Sequence, residues 1–185
     1  MSQSSPRIPP VSPADFTEEQ KTLVGDWSAL NFSRVIVHHP DLYRALIPLI
    51  AKLVGGSTLP PRDREIVLLR TLAQCDEVYE ADHHVLISRN AGLNDSEIEA
   101  ARTGGPGLSA FEQILVKATD ELVRDRTVGD ETWRAMAERY SRTQLMDLVA
   151  LVGGYTLMAM LTKSFGIELE DAETFNRFSE IRKYK

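Results

Sequence analysis

Glu77, Glu80 and His84 follow one another at spacings of three and four residues, which places them on one face of a helix. A carboxylate one turn from an imidazole can hold the ring in one tautomer and raise its basicity. Such a pair suits general acid/base chemistry, in which a positioned side chain takes a proton from a reacting group or returns one. Two carboxylates in one apolar site would also push one pKa upward. Tyr79 and His83 occupy the adjoining stripe, and Glu65 opens the strongly apolar run that precedes them. Ionisable groups at positions that should be core are costly to bury without partners. Glu65, Glu77, Glu80 and His84 are therefore the expected catalytic set, with His84 oriented by Glu80 and with Glu65 or Glu77 as the second acid/base. Arg64, Arg70 and Arg89 are candidates to grip a substrate carboxylate, a task suited to the bidentate guanidinium. Tyr79 and His83 join Arg64 and Arg70 in the expected substrate-binding set.

Other chemistries fit the sequence less well. Asp76, Asp82, Glu77 and His83 also read as a solvated helix face. Glu80-Ala81-Asp82-His83 matches the Glu-x-x-His pattern of di-iron bundles, but that site needs two such motifs on separate helices. His38-His39 could contribute but precede a helix start at Pro40, where they need no such role. No metal and no cofactor are expected. There is no nucleophile elbow, and the Gly104 to Gly107 stretch lacks the Lys-Ser/Thr successor of a phosphate-binding loop. Cys75 is the single cysteine. It can form neither an internal disulfide nor a Cys-x-x-Cys pair, and its acidic neighbours disfavour a thiolate, so a buried structural thiol is expected.

These residues need helices to place them. Thr17 with Gln20, Asn94 with Glu97, Ser109 with Glu112 and Ser141 with Gln144 are capping-box patterns that open helices. Pro40 and Pro60-Pro61 suit first turns. The Pro40 helix carries Leu42, Leu46, Leu49 and Leu53, is interrupted by Pro48 and ends at Gly55-Gly56. The helix from Pro60-Pro61 to about Gln74 is apolar nearly all round and so central. The next runs from about Asp76 to Asn90 and stops at Gly92. Asp130 caps a helix with Trp133 and Met136, Gly166 ends the long apolar helix from Ser141, and a final amphipathic helix starts near Asp171 with Phe175 and Phe178. No segment alternates with period two. The fold class is all-α, a single-domain bundle of about eight or nine helices. Residues 1–13, rich in Pro and Ser, form an N-terminal arm, disordered or laid over a neighbour, and residues 14–185 form the domain.

Bulk properties narrow the partners. A net charge of −6 with no basic stripe argues against nucleic acid; only Arg182 to Lys185 cluster. The apolar run from Leu148 to Leu161 is broken by Gly153-Gly154 and Tyr155 and reads as a buried helix, not a membrane span. The N-terminus shows no basic region followed by an apolar core, so the cytoplasm is the expected location.

The order of motifs resembles the carboxymuconolactone decarboxylase / alkylhydroperoxidase-D-like family. Arg64-Glu65-Ile66-Val67-Leu68-Leu69-Arg70, Tyr79-Glu80 with His84, Ala91-Gly92-Leu93, Glu97-Ile98, the helix of Tyr155 and Phe165-Gly166-Ile167-Glu168-Leu169 carry the likeness over roughly residues 40 to 168. The resemblance implies an all-α alkylhydroperoxidase-D-like fold and a homo-oligomer, trimer or hexamer. In the peroxidase branch a Cys pair precedes the histidine. Those positions fall here on Glu77 and Glu80, while His84 and Glu65 match, so a dithiol relay is not expected. The decarboxylase branch carries a Glu and a His matching Glu80 and His84 and an Arg matching Arg64, and requires no cofactor. A third, cysteine-less branch has a Tyr-Glu-Trp signature, with Ala81 here in place of the Trp.

Two function classes follow. One is a cofactor-independent lyase (decarboxylase) or isomerase, acting by Glu/His proton transfer on a small carboxylate or lactone. The other is a non-catalytic small-molecule binding or assembly protein in which the Glu/His cluster is a buried polar lock. An open cavity lined by Glu65, Tyr79, Glu80 and His84 favours the enzyme, and a filled one the lock.

Overall fold

The computed structural model describes residues 6–175. Its helices in chain order are α1 (Glu18–Val24), α2 (Asn31–Ile36), α3 (Pro40–Val54), α4 (Pro61–Gln74), α5 (Tyr79–Asn90), α6 (Asp95–Thr103), α7 (Ala110–Asp125), α8 (Asp130–Ala137) and α9 (Arg142–Phe165), with short 3-10 turns at Pro13–Asp15 and Gly25–Ala29. No strand occurs among the described residues. A further helical turn begins at residue 172. Phe178 and the Arg182 to Lys185 cluster lie outside the described residues.

α4 is the axis. It packs against α5, α6, α7 and α9. Val67, Leu68 and Leu72 face the main core, and Ile66 and Leu69 face a smaller cluster with Leu93, Ile98, Ala101 and Val116. A helix that divides two apolar clusters must be apolar on both sides, as its sequence is.

Local signals set most helix ends. All four capping boxes form. Two of their glutamates serve twice: Arg62 at the start of α4 donates to Glu112 at 2.6 Å and to Glu97 at 2.6 Å, tying α4 to the N-termini of α6 and α7. Gly104 and Gly166 end α6 and α9 at φ of 75° and 68°, the left-handed region that glycine enters without a Cβ penalty. α3 continues through Pro48 to Val54. The cap of α8 is Gly129, with Asp130 inside the first turn.

The described part of the N-terminal arm lies on its own chain. The N–H groups of Arg7 and Ile8 donate to the Phe165 carbonyl at 2.9 and 3.2 Å, satisfying a carbonyl left open by the end of α9. Arg34 donates to Val11 O at 2.7 Å.

α9 is long and apolar enough to cross a membrane by length and composition, and half of that window is buried inside the fold. At Gly154 it meets α3 so closely that an added Cβ would collide with the Leu53 side chain, itself 3% exposed. At Gly153 nothing lies within 4 Å. Gly154→Ala is expected to lower stability by about 1–3 kcal/mol through overpacking. Gly153→Ala is expected to raise it by up to about 1 kcal/mol through helix propensity. Thermal unfolding of the two variants checks the opposite signs.

Candidate active site

α5 begins at Tyr79, three residues later than the periodicity suggests, because the Glu77 side chain builds its first turn. Its carboxylate accepts from the backbone N–H groups of Tyr79 (3.1 Å), Glu80 (2.8 Å) and Ala81 (3.3 Å). Those are the orphan donors of a helix start, and a negative charge there is favoured by the helix dipole. Asp76, at φ 49°, turns the chain from α4 into this start; Asp tolerates that region better than most residues. The result is the α4–α5 hairpin that brings Glu65 against His84.

Glu65 and His84 are 0% and 1% exposed. His84 Nδ1 lies 2.8 Å from Glu65 Oε2. The other oxygen, Oε1, accepts from Arg64 Nε at 2.9 Å, and Arg64 Nη1 donates to the Val54 carbonyl at 2.7 Å. On the far side of the ring, His84 Nε2 lies 3.0 Å from the Tyr155 hydroxyl, with the two rings edge to face. Glu80 Oε2 is 4.0 Å from the same nitrogen. Burial pushes the Glu65 carboxyl up, but the adjacent His84 and Arg64 outweigh it and hold it below the usual carboxylate range. An ionised Glu65 accepts only, so Nδ1 carries the proton. Nε2 then either accepts from Tyr155 or, in the imidazolium, donates to it and turns the hydroxyl proton towards the cavity beyond.

That cavity has a volume of about 170 Å³, similar to the ~150 Å³ engineered cavity that admits benzene. Trp27, Leu30, Phe32, Ile47, Ile50 and Met158 give it apolar walls, and Tyr79, Glu80, His83 and Tyr155 give it one polar side. Of the four residues expected to line it, Tyr79 and Glu80 do. Glu65 and His84 sit behind Tyr155 and reach the cavity through its hydroxyl.

A second buried network borders the same wall. Glu170 accepts from the Tyr79 hydroxyl and from Asn31 N–H, both at 2.6 Å, and its Oε2 is 3.2 Å from His83 Nε2. The contact is an ion pair when the ring is protonated. His83 Nδ1 faces the Tyr79 carbonyl at 2.8 Å. Both neighbours of the His83 ring are acceptors, which favours the doubly protonated imidazolium. Burial lowers the His83 pKa, but Glu170 and the Tyr79 carbonyl more than reverse it. Burial raises the Glu170 carboxyl, and His83, Tyr79 and Asn31 bring it below its ordinary value.

Four of the expected or candidate residues, Glu77, Arg70, Arg64 and Arg89, do not line the cavity. Glu77 is spent on the helix start and is absent from the cavity lining. Arg70 forms a paired contact with Asp120 at 2.6 and 2.8 Å and donates to the Arg102 carbonyl, between α4, α6 and α7. Arg64 backs Glu65 and does not line the cavity. Arg89 pairs with Asp95. Glu80 neighbours His84, but the oriented contact comes from Glu65. Two residues were not anticipated. Tyr155 had a signal, since a tyrosine inside an apolar helix needs a partner for its hydroxyl. Glu170 had none, lying in aperiodic chain after Gly166. Cys75 is part-buried; burial pushes its thiol up. Among the described residues no group of three or more His, Cys, Asp or Glu is arranged to hold a metal ion.

The His83–Glu170 contact makes a signed pH prediction. The raised His83 pKa contributes stability below its ordinary value of 6.5 that is lost as pH rises through the folded value. The lowered Glu170 pKa contributes above 4.5, lost as pH falls through the folded value. Tyr79 and Glu80 are further ionisable groups lining this wall. The difference in melting temperature between the native chain and Glu170→Gln is expected to be greatest between those two values and to shrink on either side.

Residues 40–116 match the model of the carboxymuconolactone decarboxylase family. Among solved structures, the debrominase Bmp8 in complex with 2,3,4-tribromopyrrole superposes with a TM-score of 0.73 at 14% identity, covering 92% of this chain and 96% of that one. A peroxidase-related protein from Ralstonia eutropha, described as an alkylhydroperoxidase AhpD core, gives 0.72 at 17% identity over 94% and 96%. A protein of unknown function from Agrobacterium tumefaciens gives 0.65 at 16% identity over 72% and 94%. At these identities the likeness is one of fold, and the fold is the AhpD-like one. No curated protein matches the chain.

Proposed function

For a chain whose residues 40–116 match the carboxymuconolactone decarboxylase family, we propose a cofactor-independent enzyme that moves a proton at a carbon beside a carbonyl or lactone, as an isomerase or lyase. The observation that carries this is the buried line Glu65–His84–Tyr155, which ends at a cavity wall beside Glu80. Glu80 acts as the base and takes the proton from carbon. The electron pair moves into the carbonyl, whose oxygen takes the Tyr155 proton. His84, as imidazolium, gives its Nε2 proton to Tyr155 and becomes the neutral imidazole held by Glu65. Return of the Glu80 proton to a different carbon, with the enol proton passing back to Tyr155 and His84, completes an isomerisation with no net change in the enzyme. The division differs from the simplest reading of the sequence: Glu80 touches the substrate, and His84 works through Tyr155.

Solvent deuterium exchange into a panel of small ketones and lactones, followed by NMR, tests the assignment. Glu80→Gln, His84→Ala and Tyr155→Phe are each expected to slow exchange about 10²-fold or more, with folded far-UV spectra. Exchange rates equal to those of the native chain in all three variants would overturn the reading. The rival reading, a polar lock without catalysis, predicts a lower melting temperature for His84→Ala and no exchange by the native chain. The open cavity supports the enzyme over the lock. A dithiol peroxidase has no support, since the chain holds one cysteine and the relay needs two.

We propose also that the chain is a homo-oligomer, trimer or hexamer, assembled through the outer face of α9. Met146, Val149, Leu157 and Met160 are 72%, 38%, 41% and 57% exposed at helical spacing on one stripe. A contiguous apolar face of this kind marks a contact surface. Met160→Glu is expected to shift the chain to a smaller species in light scattering. A monomeric native chain would refute the assembly.

A further inference from the structure

We infer that the cavity takes an uncharged, mainly apolar molecule of about one ring, which enters between Trp27 and the last turn of α3 and is held by fit, not by an ion pair. This rests on the cavity being the substrate site of the proposed enzyme, and it names the substrate class and the way in. Of the described lining residues, Trp27, Ala51 and Gly55 are exposed, Ile47, Ile50 and Glu80 are half-buried, and the others are buried. The exposed three mark where the space meets solvent. Trp27 stands on the Gly25–Ala29 turn, Ala51 on the last turn of α3 and Gly55 at its C-cap. Tyr79, His83 and Tyr155 are all buried and lie away from this mouth.

The polar groups of the wall are met by protein partners. The Tyr79 hydroxyl donates to Glu170 and accepts from Phe32 N–H. The Ser33 hydroxyl accepts from Tyr43 at 3.2 Å, and the Tyr155 hydroxyl meets His84. The ionisable groups stand in pairs, His83 with Glu170 at 3.2 Å and Glu80 with His84 at 4.0 Å. No Lys or Arg is among the described lining residues. A charged ligand would lose its hydration here and could find a counter-charge only by breaking one of those pairs. A neutral ring meets neither cost and gains by burying its surface against Trp27, Leu30, Ile47, Ile50, Val54 and Met158. A volume of about 170 Å³ holds roughly one ring with small substituents. Of the two substrate classes expected from the sequence, the cavity therefore fits the lactone, with cyclic ketones of similar size, better than the carboxylate.

Matched six-membered rings test this by ligand-observed NMR. Cyclohexanone is expected to bind the native chain at least about tenfold more tightly than cyclohexanecarboxylate or cyclohexylammonium at neutral pH. The two-ring 2-decalone is expected not to displace it. Ala51→Phe should plug the mouth and abolish binding. Ala45→Phe, on an exposed part of α3 outside the lining, should bind as the native chain does. Gly55 has an ordinary helical φ of −79°, so Gly55→Phe is a second plug if Ala51→Phe fails to fold. Either charged ring binding as tightly as cyclohexanone would overturn the proposal. So would displacement by 2-decalone, native affinity in a folded plug variant, loss of binding in Ala45→Phe, or no binding of cyclohexanone at millimolar concentration. The readout is binding alone. A chain that shows the preference but catalyses no deuterium exchange upholds the ligand class while refuting the enzyme, and one that catalyses exchange without the preference does the reverse.

Discussion

The contact on which the rest depends is the buried pair of Glu65 and His84. A carboxylate and an imidazole taken out of water on two adjacent helices are tolerable only together. Each has a second partner. Arg64 supplies the compensating charge on one side of Glu65, and Tyr155 closes the other side of the ring. A buried ion pair is weak evidence of net stability, but losing one member typically costs about 3–5 kcal/mol. α4, α5 and α9 therefore share one hydrogen-bonded register. α5 and α9 carry the polar side of the cavity, so the fold's most demanding buried contact also aims the polar residues that line it.

Helix starts were legible because their causes are local. Thr17 with Gln20 or Ser141 with Gln144 satisfies backbone donors within one turn, and no distant residue is needed to see it. The site was legible in part for the same reason. Glu80 and His84 are one turn apart, but the orienting contact comes from Glu65 across the hairpin, nineteen residues away, and that depends on how α4 and α5 cross. Arg70 illustrates a misreading that helix geometry corrects. At 100° per residue it stands roughly 140° around α4 from Glu65, so the two cannot address the same cavity. Glu170 was not legible at all, because its role depends on where the chain after Gly166 happens to cross α2 and α5.

The neighbourhood of the cavity is held from three sides by different means. Gly154 lets α9 approach α3 at Leu53, setting one wall by shape alone. The Glu170 carboxylate joins the start of α2 to Tyr79 and His83 on α5, setting another by charge. The buried Glu65–His84–Tyr155 line sets the third. Close packing and paired charges have few alternative arrangements, which is what a site needs if it is to keep reacting groups within hydrogen-bond distance.

Glu77 and Glu80 show how position divides one residue type between two tasks. Both fall where the resembling peroxidase branch carries its cysteines. Glu77 stands at the start of α5, where three backbone N–H groups converge on its carboxylate. The same location would lower the pKa of a thiol, so its electrostatics suit an anion whichever atom supplies it. Here the anion is a carboxylate fully occupied by the helix start. Glu80, one turn further along, is beyond those donors and faces the cavity. A carboxylate there cannot exchange electrons with a disulfide, but it can take a proton, and the group 4.0 Å away is an imidazole already oriented by a second carboxylate. Under the proposed reading, carboxylates at these two points let the hairpin move protons, where a redox relay would need two thiols.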